Sequence, residues 1–182
     1  MKFTCDKENL EKYINIAERF SGKNLTLPIL SNIMLETSGN DIKLTATNLE
    51  QAVQIKINGK VIKEGKICVP AKTINSLIQS LKDSNLDLEE KQNNLILKTL
   101  SKEARLNGLI SEDFPLIPFI KKTLSFSMDA YKLKRGLEKV IPAVAVSDFK
   151  PEFTGIYFGL DSSGELKLAA TDTFRLAEEK IN

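Results

Sequence analysis

The strongest constraint on the fold is a repeat inside the chain. Asp41-Ile42-Lys43-Leu44-Thr45-Ala46-Thr47-Asn48 falls on Glu165-Leu166-Lys167-Leu168-Ala169-Ala170-Thr171-Asp172, and the pairing continues without a gap to Lys56-Ile57-Asn58 against Lys180-Ile181-Asn182. Upstream, after a small slip in register, Pro28-Ile29-Leu30-Ser31-Asn32-Ile33-Met34-Leu35 falls on Pro151-Glu152-Phe153-Thr154-Gly155-Ile156-Tyr157-Phe158. A chain of repeated supersecondary units folds as an array in which neighbours bury each other's apolar faces.

Each copy reads in the same order. A strand over 1–5 leads to Asp6, a good cap for a helix running to about Phe20, with Leu10, Tyr13, Ile14, Ala17 and Phe20 at helical spacing. After a polar loop at 21–26, Pro28 opens a strand expected over 29–36, a turn follows at 38–41, and strands follow over 42–47 and 52–57. In the last of these Val53, Ile55 and Ile57 alternate inward. The order restarts after Lys63-Glu64-Gly65: a strand over 66–69, Pro70 as a tolerated first-turn proline, a helix face of Ile74, Leu77, Ile78 and Leu81, and strands over 86–90, 95–100 and 104–109. Residues 113–118, with two prolines and no periodicity, read as a connector in which Phe114 and Ile117 are apolar enough to be pinned to a core.

A third start comes with a strand over 124–128, Asp129 as cap, a helix carrying Leu133, Leu137, Val140 and Ile141, and a stop at Pro142. Strands over 153–160, 165–170 and 176–181 follow. If two units make a domain, as residues 1–109 suggest, the third unit is half of one. Its sheet edge and helix face are then uncovered, which implies a truncated chain or dependence on a partner surface.

Composition serves mainly to exclude. Histidine is absent, which removes the commonest general base and metal ligand; no cofactor or metal is expected. An enzyme reading would make Asp172 and Arg175 catalytic with Thr171 or Thr173 as nucleophile, and the absence of a phosphate-cradling glycine loop also weighs against it. Cys5 and Cys68 stand outside any metal-ligand spacing and read as reduced, buried thiols. No apolar run reaches the length of a membrane span and Met1-Lys2-Phe3-Thr4 carries no signal-peptide pattern, so a soluble, cytoplasmic protein with no membrane partner is expected. A net charge of only +2 means that any nucleic-acid partner needs cations gathered on one face.

Five motifs bring a family into view. Leu27-Pro28-Ile29-Leu30-Ser31-Asn32, Leu44-Thr45-Ala46-Thr47-Asn48-Leu49-Glu50, Asp113-Phe114-Pro115 with Pro118, Ala145-Val146-Ser147, and Ala170-Thr171-Asp172-Thr173-Phe174-Arg175-Leu176-Ala177 together closely resemble the bacterial sliding clamps, the beta subunits of DNA polymerase III. The resemblance covers the whole chain. It implies an α+β class and the DNA-clamp fold, with repeated β-α-β-β-β units, antiparallel sheets outside and helices lining a ring. Residues 1–120 would be clamp domain one and residues 121–182 the first half of domain two.

The function it implies is that of a non-catalytic processivity factor. A full-length clamp closes as a head-to-tail homodimer around double-stranded DNA, without reading sequence, and tethers the DNA polymerase III catalytic subunit and the clamp loader. The resemblance assigns Lys23, Asn24 and Lys150 to DNA-contacting loops, the last in a loop at 147–151 that is shorter than the family's usual form. Lys72, Lys132, Lys134, Arg135 and Lys139 fall on helices that would face DNA; the residues alone equally allow these as solvated faces of amphipathic helices. Phe153, Thr171, Thr173, Phe174, Arg175 and Leu176 correspond to one wall of a pocket for partner peptides. Thr173 and Phe174 stand where the family usually has Gly or Ser and then His, which implies a pocket of altered polarity and rim shape. Leu77, Leu81 and Leu106 fall where domain one meets domain three of the other protomer. A different reading is a peptide-binding module unrelated to DNA, which salt-dependent DNA association would separate from a clamp.

Overall fold

A computed structural model of the chain describes residues 1–22, 27–118, 125–146 and 150–181. The chain forms two compact units, Met1–Phe119 and Ile120–Asn182.

In the first unit the elements are β1 (Lys2–Asp6), α1 (Lys7–Arg19), β2 (Asn32–Ser38), β3 (Asp41–Thr47), β4 (Ala52–Ile57) and β5 (Lys60–Lys63), then β6 (Gly65–Pro70), α2 (Ala71–Gln79), β7 (Asn85–Lys91), β8 (Asn94–Lys98) and β9 (Glu103–Asn107). They build two antiparallel sheets, ordered β4-β3-β2-β6 and β5-β1-β7-β8-β9. The first strand of each half is exchanged: β1 lies along β7 of the second half, and β6 lies along β2 of the first. Apart from the short edge strand β5, the two halves therefore have the same strand order. The exchange is anchored by apolar cross-strand pairs, Phe3 opposite Leu88 and Leu35 opposite Ile67, all four buried.

The helices form where the pattern requires. The Asp6 carboxylate accepts the Asn9 N–H at 3.0 Å, which starts α1, and Leu10, Ile14 and Ala17 turn inward with Tyr13 and Phe20 packed at the margin. Pro70 is the last residue of β6 and the residue that caps α2, one step earlier than a first-turn proline. Ile74, Ile78 and Leu81 are buried against the same core, and α1 and α2 pack on each other. In the connector Phe114 is buried, whereas Ile117 is exposed and is not pinned as expected.

The second unit contains α3 (Ala130–Val140), β10 (Tyr157–Leu160), β11 (Leu166–Thr171) and β12 (Leu176–Ile181), in an antiparallel sheet ordered β10-β11-β12. Asp129 caps α3 by accepting the Lys132 N–H at 3.0 Å. Leu133, Leu137 and Val140 pack inward, but Ile141 belongs to a 3-10 turn with Pro142 and is exposed. Gly136 lets the helix lie close on the sheet: a Cβ there would stand 2.5 Å from Ile181 Cδ1 and 3.0 Å from Leu168 Cδ1.

Three expectations fail for physical reasons. The strands expected from 29 and 153 begin later, because Pro28–Ser31 and Pro151–Thr154 are 3-10 turns with proline in the first turn. Ser31 Oγ donates to the Pro28 carbonyl at 2.7 Å and Thr154 Oγ1 to the Pro151 carbonyl at 2.8 Å, so the hydroxyls close each turn. The strand expected over 124–128 is not formed among its described residues, 125–128. In the first unit both opening strands are held by the sister half's sheet, whereas among the described residues no strand pairs with 125–128.

Candidate nucleic-acid and peptide interfaces

The repeat is visible atom by atom in two hairpin turns. Between β3 and β4, Thr47 Oγ1 donates to the Gln51 carbonyl at 2.8 Å and accepts the Leu49 N–H at 3.0 Å, while Asn48 Oδ1 accepts the N–H groups of Glu50 at 3.1 Å and Gln51 at 2.7 Å. Between β11 and β12 the same bonds recur. Thr171 Oγ1 donates to the Arg175 carbonyl at 2.7 Å and accepts the Thr173 N–H at 3.1 Å, and Asp172 Oδ1 accepts the N–H groups of Phe174 at 3.0 Å and Arg175 at 2.9 Å. Leu49 and Thr173 both sit at positive φ, 77° and 79°. The Thr-Asx pair supplies the acceptors that let a turn of this shape close. That dipeptide was the available sequence signal for the turn; the positive φ at non-glycine residues was not legible.

Electrostatics reinforce the second copy. The Asp172 carboxyl is held below the usual carboxylate range, first by the Arg175 backbone N–H and then by the Phe174 N–H and the Arg175 side chain, whose Nε donates to Oδ2 at 2.8 Å. Arg175 is thereby aimed by its own turn. With the backbone satisfied from within, Phe174 is 96% exposed and Leu176 71% exposed. Leu176 is therefore surface, not core.

Phe153 is positioned at the same end of the sheet. Its carbonyl accepts the Ala145 N–H at 2.9 Å, matching the bond from Gly22 N–H to the Leu30 carbonyl in the first unit, at 2.7 Å. The ring is half-buried and Lys150 Nζ lies over it, 5.4 Å from the centroid. Thus Phe153 and the turn carrying Thr171, Thr173, Phe174, Arg175 and Leu176 lie at one end of the β10-β11-β12 sheet.

The cations divide unequally among the helices. α1 carries Lys7, Lys12 and Arg19 against Glu8, Glu11 and Glu18, and Lys7 is paired with Glu11. α2 contributes only Lys72, which is exposed. On α3, Lys132, Lys134, Arg135 and Lys139 are all exposed and Glu138 is the one acid. Lys139 is tied to Glu179 at 2.6 Å, Lys134 stands 3.8 Å from Glu138, and Arg135 lies 5.8 Å from the Tyr131 ring centroid. Surface pairs of this kind are weak and exchange readily for other anions. α1 is thus balanced in charge, whereas α3 carries an excess of cations. Lys23 and Asn24 lie outside the described residues.

The three leucines assigned to a protomer contact differ in availability. Leu81 is only 4% exposed and belongs to the first unit's core, while Leu77 and Leu106 are half-buried at its margin. Among the described residues no helix is long and apolar enough to cross a membrane, and no group of three His, Cys, Asp or Glu could hold a metal ion.

Comparison with known proteins agrees with this architecture. Residues 1–118 match the family model for the DNA polymerase III beta subunit, N-terminal domain. The beta sliding clamp of Chlamydia pneumoniae is 28% identical over 179 residues, covering 98% of this chain and 49% of the relative. That of Pseudomonas aeruginosa is 31% identical over 183 residues, covering 97% of this chain and 48% of the relative. The chain spans about half the length of the curated relatives it matches. Among solved structures, the DNA polymerase III beta subunit of Thermotoga maritima superposes with a TM-score of 0.93 at 27% identity, over 100% of this chain and 49% of that one. With its repeated units, its exchanged strands and a matched N-terminal domain, this chain belongs to the DNA polymerase III beta subunit family.

Proposed function

We propose that this chain is the N-terminal part of a sliding clamp, with residues 1–120 as clamp domain one and 121–182 as the first half of domain two. It acts in the cytoplasm as a non-catalytic processivity factor. The complete ring, a head-to-tail homodimer, encircles duplex DNA and tethers the DNA polymerase III catalytic subunit and the clamp loader. The observation that carries the DNA reading is the exposed face of α3, with four cations against one acid.

A sliding protein must hold phosphates without locking onto any one of them. Long lysine and arginine stems on a solvated helix do this: they neutralise phosphate charge at exchangeable, often water-bridged range and read no base edge. Lys132, Lys134, Arg135 and Lys139 supply most of this field, and Lys72, Lys150, Lys23 and Asn24 add to it. Phe153, Thr171, Thr173, Phe174, Arg175 and Leu176 form one wall of a partner-peptide pocket. There an apolar anchor settles on Phe153 and Leu176 while Arg175 holds the rim. Leu77 and Leu106, backed by Leu81, face domain three of the other protomer.

The test is fluorescence anisotropy of the chain with a labelled duplex of mixed sequence across a salt series. Association should weaken steeply with salt and show no sequence preference. Each neutralised cation on α3 should reduce the slope of log K against log salt by about 0.9. Binding that ignores salt, or that survives alanine at all four α3 positions unchanged, would refute the DNA reading.

A further inference from the structure

Two asparagine-glycine pairs occur in the chain, Asn58-Gly59 and Asn107-Gly108, and the fold treats them differently. Such a pair can modify itself. The glycine nitrogen, unhindered because its residue has no Cβ, attacks the asparagine side-chain carbonyl when its N–H is free to give up a proton. The Gly108 N–H is engaged: it donates to the Asn93 carbonyl at 2.8 Å, and Asn107 is held in the ladder between β8 and β9 opposite Asn94. Asn58-Gly59 instead carries the chain from the end of β4 in one sheet to the start of β5 in the other. Both residues are exposed, and among the described residues no carbonyl accepts the Gly59 N–H. The other side of Gly59 is tightly packed. A Cβ there would stand 2.6 Å from the Thr4 carbonyl oxygen, 2.6 Å from Ile42 Cδ1 and 3.2 Å from Cys5 Cβ. Directly after this junction, Lys60 and Val61 of β5 pair with Thr4 and Phe3 of β1.

We propose that Asn58 is a site of spontaneous deamidation, and that its isoaspartyl product frees β5 from β1. The Gly59 nitrogen, having lost its proton, bonds to Asn58 Cγ; the bond from Cγ to Nδ2 breaks, and Nδ2 leaves as ammonia. Water then opens the succinimide ring at either carbonyl, which leaves an aspartyl or an isoaspartyl residue at position 58. Water is the one co-reactant. The isoaspartyl form routes the main chain through the side-chain carbons and so lengthens it by a methylene directly before Gly59. A junction with no room for a Cβ cannot absorb that shift in place, so the short edge strand Lys60–Lys63 gives way. Cys5, buried against Gly59, then becomes reachable. The inference is independent of DNA binding, since it concerns a junction between the two sheets of the first unit and not the cations of α3.

Two measurements decide it. In the first, the folded chain is aged at mildly alkaline pH in heavy-oxygen water, which marks each hydrolysed ring, and peptide mapping by mass spectrometry locates the mark. It should accumulate at 58 about ten times faster than at 107, where the Gly108 bond and its ladder must open first and each 1.4 kcal/mol of opening is tenfold. In urea the two rates should converge. Equal rates in the folded chain, or a preference for 58 that persists unchanged in urea, overturns the proposal. In the second, isoaspartyl chains separated by ion exchange should alkylate at Cys5 about tenfold faster than the parent, the factor that each 1.4 kcal/mol lost in holding β5 supplies. Cys68, buried on β6 in the other sheet, should stay slow. Asn58→Asp adds the charge without lengthening the main chain and should leave Cys5 as slow as in the parent. Cys5 reactivity that is equal in all three chains shows β5 still in place and overturns its release.

Discussion

Replacing Thr173 by glycine tests the turn of the candidate pocket most directly. Thr173 is β-branched, exposed, and held at φ 79° by the bonds that Thr171 and Asp172 make to the surrounding N–H groups. Left-handed backbone costs a non-glycine residue roughly 1–2 kcal/mol, because Cβ approaches the following carbonyl. Glycine escapes that cost but gains roughly 0.5–1 kcal/mol of chain entropy in the unfolded state. The net expectation is a gain of about 0.5–1 kcal/mol. For a unit of this size that raises the melting temperature by about 3–6 °C. Thr173→Ala removes the hydroxyl and methyl but keeps Cβ, so its stability should stay near that of the parent. Circular-dichroism melts, with amide exchange on β11 and β12 to assign the gain to the second unit, measure both variants. A loss of stability in the glycine variant, or an equal gain in both, would show that strain at Thr173 is not what the turn stores. Leu49→Gly in the twin turn should carry the same sign in the first unit.

Because the Asp172 carboxyl titrates below its usual range, the stability it lends is present above the unfolded value near about 4 and is lost as pH falls through the lowered folded value. Asp172→Asn copies Asn48 and should keep the turn while flattening this acid dependence, whereas Asp172→Ala should loosen it; melts across the acid range distinguish them. Burial pushes the Cys5 and Cys68 thiols from 9.0 up to about 12, so their contribution is intact below 9.0 and is lost between there and about 12 as the unfolded thiols ionise first. Alkylation followed by mass spectrometry should accordingly be slow in the native chain and fast in urea. Gly65→Ala should destabilise the first unit by about 2–4 kcal/mol, read as a lowered urea midpoint. Gly65 has φ 152°, and a Cβ there would stand 2.6 Å from the backbone nitrogen of buried Met1, whose amine faces Glu90.

What could be read in advance was local. Ala52–Ile57 and Leu176–Ile181 form strands at the residues that alternation assigns, and Asp6 and Asp129 cap the helices they precede. Pairing was not legible, because a period of two says which way a side chain faces and nothing about which strand lies alongside. Hence the exchange of β1 and β6 was missed, and 125–128 was expected as a strand where no partner strand holds it among the described residues. Lys60–Lys63 was missed because four residues with lysine at both ends look like a loop, although they pair with β1 at the sheet edge. The apolar residues after Pro28 and Pro151 resembled strand beginnings. Their hydroxyl-closed 3-10 turns depend on Ser31 and Thr154 three positions on. For the candidate interfaces the difficulty was averaging: a net charge of +2 hides a neutral α1 and a strongly basic α3.

The two turns also explain why one scaffold carries different surfaces. In each, Thr and Asx side chains satisfy the backbone groups that would otherwise need partners, so the side chains at the next positions are largely released from holding the turn, although that of Arg175 also bonds Asp172. The first unit fills them with Leu49, Glu50 and Gln51, the second with Thr173, Phe174 and Arg175. Every one of these side chains is exposed. Their divergence leaves the four matched bonds unchanged to within a few tenths of an ångström. Recognition can therefore be written on the second turn without altering the hairpin that presents it. A partner that discriminates between the units must read Phe174, Arg175 and Leu176 rather than the turn's shape.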